Sequence, residues 1–174
     1  MKYVIIFFVC TIVFLLSCET NEEVEKPRSV DWNTDKSVQF GKSLTKSEEV
    51  AIKIYLKQRT HWEVKETGTG LRYWIYEAKE GPRIQEGQTI DVNFEVKLLN
   101  DSLCYKSEGN EVSSFVVDKS DVESGIMEGV KYLTKGDRAK FIIPSHIGHG
   151  LLGDLKNIPP LEVLVVDLKI VDVR

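Results

Sequence analysis

Two of the chain's three histidines, His146 and His149, stand among glycines in "FIIPSHIGHGLLGDLKNIPP", residues 141–160. Imidazoles in such a loop can ligate a metal, move a proton or form ordinary hydrogen bonds. A metal site needs three or four converging ligands. Asp154 is a candidate third ligand, but this HxxH lies in a glycine-rich loop and lacks the helical HExxH spacing that puts two imidazoles on one face. Ser145, His149 and Asp154 include the residue types of a nucleophilic triad. They crowd on one loop, however, with no strand-to-helix elbow to expose the serine. Cys104 has no base evident beside it and reads as a small core-side residue. The residue types for covalent or metal chemistry are present; the arrangement is not.

The pattern that positions these residues changes period near residue 70. Thr45 to Glu48 offers a capping box ahead of an apolar stretch. Ala51, Ile54 and Tyr55 follow the i, i+3, i+4 spacing of one helix face, with Val50 beside them. Gln58 interrupts that face, so the spacing predicts a helix over about 46–60 with a short stripe, outside the main core. Gly68 and Gly70 end the region. From residue 71 the period is two: "LRYWIYEA" alternates through Leu71, Tyr73 and Ile75. In "TIDVNFEVKLLN", residues Ile90, Val92, Phe94, Val96 and Leu98 share one face, and Asp91, Asn93, Glu95 and Lys97 the other. "AKFIIP" and "EVLVVDLKIVDV" are further strands, the second long enough to lie centrally in a sheet. Between the second and third of these runs, "DVESGIMEGVKYLTKGD" predicts a short helix over Ser124–Val130 and a turn at Lys135-Gly136-Asp137. Strands with one polar face and one short helix predict an α+β fold, a twisted antiparallel sheet wrapping the helix. There is no internal repeat.

The N-terminus has a different character. Lys2 precedes Tyr3 to Leu16, all apolar except Thr11, followed by Ser17 and Cys18. This run is shorter than the roughly 20 apolar residues of a membrane-spanning helix and fits a secretory signal. "LLSC" resembles a bacterial lipobox, which implies acylation of Cys18 and a lipid anchor facing the periplasm or cell exterior. Residues 18–42 are polar and acidic and read as a flexible tether, with 43–69 a helical extension and 70–174 the main domain. Without residues 1–17 the net charge is −5, which argues against nucleic acid as a partner. Cys10 and Cys18 belong to the signal and the anchor, which leaves Cys104 without an intramolecular disulfide partner.

The order of motifs over residues 70–174 resembles the FKBP-type peptidyl-prolyl isomerase domain. "VESGIMEGVKYLTKG" at 122–136, "PSHIGHG" at 144–150 and "NIPPLEVLVVDLKI" at 157–170 follow the family pattern, and the spacing from Gly125 to Pro159-Pro160 needs no gap. The lipobox, "NDSLCYKSEGNE" and "FIIPSH" look most like the gliding-motility-associated lipoprotein branch. The resemblance implies an FKBP-like fold and prolyl cis-trans isomerisation of exported, proline-containing polypeptides, with no metal or other cofactor. Rotation about a peptide bond crosses a barrier of roughly 18–20 kcal/mol because it breaks amide resonance. An apolar pocket that excludes water and fits the twisted amide would suffice.

Residue by residue, the resemblance implies a pocket with several replacements. Phe94 stands at a family tyrosine, keeping the wall without its hydroxyl. Tyr105 and Lys106 fall near the family's F-D pair, where Tyr105 can serve as wall and Lys106 cannot replace the carboxylate. Ser113 makes one wall polar, while Phe115 remains two residues on. Val122 matches a wall position, and Glu123 falls where a backbone N–H binds a substrate carbonyl. Ile126 takes the floor position of a common tryptophan, Ile158 matches the I-P-P wall, and Val166 replaces a phenylalanine. His149 stands at the tyrosine of A-Y-G, where an imidazole can also donate and would tie binding to pH near neutrality. A loop histidine facing solvent is the other reading. These replacements leave two functions open: an isomerase, and an FKBP-fold binding or chaperone module with little catalysis.

Overall fold

The computed structural model describes residues 34–108 and 111–174. The signal and most of the tether expected at the N-terminus lie outside the described residues. Helix α1 (Thr34–Lys57) is followed by strands β1 (Lys65–Glu66), β2 (Arg72–Glu77), β3 (Thr89–Leu98), β4 (Leu103–Lys106) and β5 (Ser113–Val116). Helix α2 (Ser124–Val130), β6 (Arg138–Ile143) and β7 (Leu164–Val173) follow, with a 3-10 turn at Ser145–Ile147. No helix among the described residues is long and apolar enough to cross a membrane.

All pairings are antiparallel, in the order β1-β2-β6-β7-β3-β4. The outer edge of β3 is shared: β4 pairs with Glu95–Lys97 and β5 with Thr89–Val92. Between them Asn93 and Phe94 pin the β4–β5 connection. Asn93 Nδ2 donates to the Glu111 carbonyl at 2.8 Å, and the Phe94 N–H donates to Ser107 Oγ at 2.9 Å. Phe94 thus sits where one edge strand has ended and the next has not begun. Sequence periodicity did not reveal β1, β4 or β5, because strands of two to four residues are too short to show a period.

Alternation on the central strands sends Phe141, Ile143, Leu164, Val166 and Leu168 into the main core, with Leu71, Ile90, Val130 and Ile170. Helix α2 packs against β6 through glycines. A Cβ on Gly125 would lie 2.6 Å from the Ile143 side chain, and one on Gly129 would lie 2.7 Å from the Phe141 ring. Any larger residue there would push the helix off the sheet.

The N-terminal helix corrects the sequence reading in three respects. It begins at Thr34, so residues 34–42, read as tether, are helical. Thr45 caps nothing: its hydroxyl donates within the helix to the Gly41 carbonyl, and Glu48 accepts from Ser145 instead. The buried face carries Glu48, Ile52 and Tyr55, while Val50 and Ile54 are exposed. Ile52 and Tyr55 form a second core with Ile142, Val163 and Val165, joined by Leu56, Trp62 and Leu99. Residues Val38–Arg174 form one compact unit. The unbroken apolar runs "FII" and "LVV" already required cover on both faces of β6 and β7, and α1 supplies it on the second face.

Candidate prolyl-peptide pocket

An open apolar pocket of about 400 Å³ lies on the inner face of the sheet. Its floor is Ile126, on the first turn of α2, and Val166, near the start of β7; both are buried. Phe94 on β3, Tyr105 on β4 and Phe115 on β5 form one wall. Val122 and Glu123, just before α2, form another, and His149 and Ile158 close the rim from the 144–160 loop. All nine positions singled out from the sequence therefore surround one cavity. Val92, Val96, Leu164 and Leu168 also line it. The period-two alternation around Phe94 and Val166 could have found them, since inner-face neighbours recur at every second residue. Ser113 and Ser114 form a polar edge.

The polar groups at the rim are mostly committed to one another. The His149 Nε2–H donates to Glu123 Oε1 at 2.6 Å. This histidine is thus neither a free rim donor nor a solvent-facing loop residue: it ties the 144–160 loop to the start of α2. Glu123 caps α2 through its backbone, its carbonyl accepting from the N–H groups of Ile126 and Met127 at 2.9 and 3.1 Å. Its side chain makes no capping bond, which leaves the carboxylate for His149. His146 has a different partner, donating from Nε2 to the Thr69 carbonyl at 3.0 Å. Lys106 does not line the cavity and pairs with Glu95 at 3.0 Å.

Asp154, weighed in sequence only as a ligand or triad member, organises the rim. Its Oδ1 accepts from the N–H groups of Lys156, Asn157 and Ile158 at 2.9, 3.0 and 2.8 Å. The Tyr105 hydroxyl donates to its Oδ2. Burial opposes its charge, but the Tyr105 hydroxyl and these backbone donors prevail and hold the carboxyl far below the usual carboxylate range. Tyr105, a wall residue on β4, is thereby latched to the loop carrying Ile158. Desolvation by burial, with the Asp154 and Glu162 carboxylates, pushes the Cys104 thiol up, which suppresses thiolate chemistry beside the pocket.

Among the described residues the site is thus an apolar basin with branched and aromatic walls, open at one side. Residues 81–171 match the family model for FKBP-type peptidyl-prolyl cis-trans isomerase, and the chain belongs to that family. It is 33% identical over 113 residues to a probable FKBP-type peptidyl-prolyl cis-trans isomerase of Haemophilus influenzae, a match covering 64% of this chain and 46% of that protein. It is 34% identical over 112 residues to FkpA of Escherichia coli K12, over 64% of this chain and 40% of that one. The chain thus spans about half the length or less of these curated relatives. In three dimensions it resembles the crystal structure of Escherichia coli FkpA with a TM-score of 0.65 and 26% identity, covering all of this chain and 82% of that one.

Proposed function

We propose that this protein is a peptidyl-prolyl cis-trans isomerase that acts on proline-containing segments of exported polypeptides at the cell envelope. The observation that carries this reading is the convergence of Phe94, Tyr105, Ile126, Ile158 and Val166 on one open apolar pocket. Such a pocket can strip water from the prolyl amide and favour its twisted, less polar form over both planar forms. No bond to the protein is needed. A backbone donor at Glu123 would receive a substrate carbonyl, whatever the side chain there. The lipobox-like "LLSC" supports an anchor through acylated Cys18, and with "NDSLCYKSEGNE" and "FIIPSH" it supports a place in the gliding-motility-associated lipoprotein branch.

The second reading, a binding or chaperone module with little isomerase activity, draws on the commitment of His149 to Glu123. That contact removes one rim donor from substrate. The two readings separate in one measurement of cis-to-trans exchange on a short X-Pro peptide. Wild type is expected to accelerate exchange and Phe94→Ala to lose at least tenfold of that acceleration, about 1.4 kcal/mol. Binding without acceleration by wild type would establish the module and sink the isomerase.

A further inference from the structure

The pocket is apolar at its floor and carries charge of one sign at its rim. None of the residues that line it is lysine or arginine, whereas Glu123 and Asp154 bring carboxylates. A concave site with low-dielectric walls and one sign of charge focuses the field at its mouth.

The two carboxylates differ in what they have left to offer. A carboxylate has about four acceptor sites on its two oxygens. Asp154 receives four donors, the N–H groups of Lys156, Asn157 and Ile158 and the Tyr105 hydroxyl. It is saturated. Among the described residues the Glu123 carboxylate receives one donor, the His149 Nε2–H at 2.6 Å, and it is not spent on capping α2. A neutral imidazole fills one of its acceptor sites without cancelling its charge. The Glu123 side chain is 26 % exposed, and charges in partly buried places are screened less by salt than those at the open surface.

We propose that the Glu123 side chain is a specificity determinant, selecting prolyl segments in which a lysine or arginine adjoins the proline. This deepens the reading given under Proposed function and rests on it. The backbone N–H of the same residue is the donor expected to hold a substrate carbonyl, so the carboxylate reaches only the residues next to the proline. The aliphatic stem of a lysine or arginine suits an apolar wall such as Val122, while its charged end reaches the rim. An acidic residue at that place would meet two like charges, with no cation among the lining residues to receive it, and rejection of this kind is half of specificity.

The test measures short peptides with one central proline by fluorescence anisotropy. Lysine, norleucine or glutamate stands immediately before the proline in one set and immediately after it in a second. A control peptide carries its lysine four residues away. Norleucine keeps the stem of lysine and removes the charge. In at least one set, wild type is expected to bind the lysine peptide about fivefold more tightly than the norleucine peptide, the range of a partly exposed ion pair. The glutamate peptide should bind more weakly than either. Glu123→Gln keeps the shape and an acceptor for His149, and should bring the lysine and norleucine peptides within about twofold of each other. Glu123→Lys should reverse the order of the lysine and glutamate peptides. A lysine preference that survives in Glu123→Gln, or that the distant lysine produces equally, overturns the inference, because the net negative charge of the chain would then account for it. Equal wild-type affinities for the lysine and norleucine peptides in both sets overturn it without any variant, and leave the pocket reading standing. Failure of every peptide to bind removes the pocket reading and this inference together. Absence of exchange acceleration with the lysine preference intact removes only the isomerase.

Discussion

The carboxylate of Glu48 on α1 accepts a hydrogen bond from the hydroxyl of Ser145, and both residues are buried, at 7 and 2 % exposure. The Ser145 carbonyl in turn accepts from the N–H groups of Gly148 and Gly150, at 3.0 and 2.8 Å, on either side of His149. The N-terminal helix is therefore a buttress for the pocket's rim. Nearby, Arg72 is buried between Glu49 and Glu66, which fastens the same helix to β2.

Glu48→Ala leaves the Ser145 hydroxyl buried without that acceptor, a change that costs about 1–3 kcal/mol. Urea unfolding measures the global loss. Amide exchange is expected to quicken at Gly148 and Gly150 by more than the global loss accounts for. Uniform quickening across the sheet would mean that the bond stabilises the fold without positioning the rim.

Neutral His149 that donates from Nε2 to Glu123 leaves Nδ1 as an acceptor, unable to donate to a substrate carbonyl. Prolyl-peptide binding is therefore expected to strengthen several-fold in His149→Tyr, which restores a hydroxyl donor at this place. Equal affinities of wild type and variant in fluorescence anisotropy would show that this position does not face substrate.

Asp154 titrates with a lowered folded-state pKa. Burial works against this, and the Tyr105 hydroxyl and the N–H groups of Ile158, Lys156 and Asn157 outweigh it. A depressed carboxyl contributes stability that is present above its unfolded pKa and lost as pH falls through the folded value. The Tyr105 latch should thus persist from pH 7 down to about 4 and open only in stronger acid. The Ile158 amide resonance reports it, and in Asp154→Asn the acid transition of that resonance should vanish. Tyr105→Phe keeps the wall and should shift the transition to higher pH.

Two glycines on helices make opposite predictions. Gly129→Ala sets a methyl group against the Phe141 ring and should destabilise by roughly 1–3 kcal/mol. Gly41, on α1, has no neighbour within 4 Å of its Cβ position, and Gly41→Ala should stabilise by up to about 1 kcal/mol. Thermal melting of both variants compares close packing with intrinsic helix propensity in one protein.

The central strands and α2 were legible in the sequence because their signals are local. A period of two over "TIDVNFEVKL" records one face turned to a core, and glycines at 125 and 129 record a helix pressed onto that core. The nine positions from Phe94 to Val166 came from the resemblance to the family, carried over residue by residue, and all of them line one cavity. The face of α1 was misread because Ile52 and Ile54 are equally apolar, and only the position of Ile142 and Val165 on the sheet decides which is buried. Asp154 was legible as a carboxylate and illegible as an organiser, since its donors include a tyrosine 49 residues away. The same holds for His149. Its side chain type announced a titratable donor, but the proton's destination depends on where Glu123 lies in space. Local patterns fix which residues can face a core; packing between distant segments decides which polar groups remain for a ligand. By itself the sequence determined the long strands and the short helix, and its resemblance to the family pointed to the apolar pocket. Tertiary contact alone decided that the rim's donors are bound to one another.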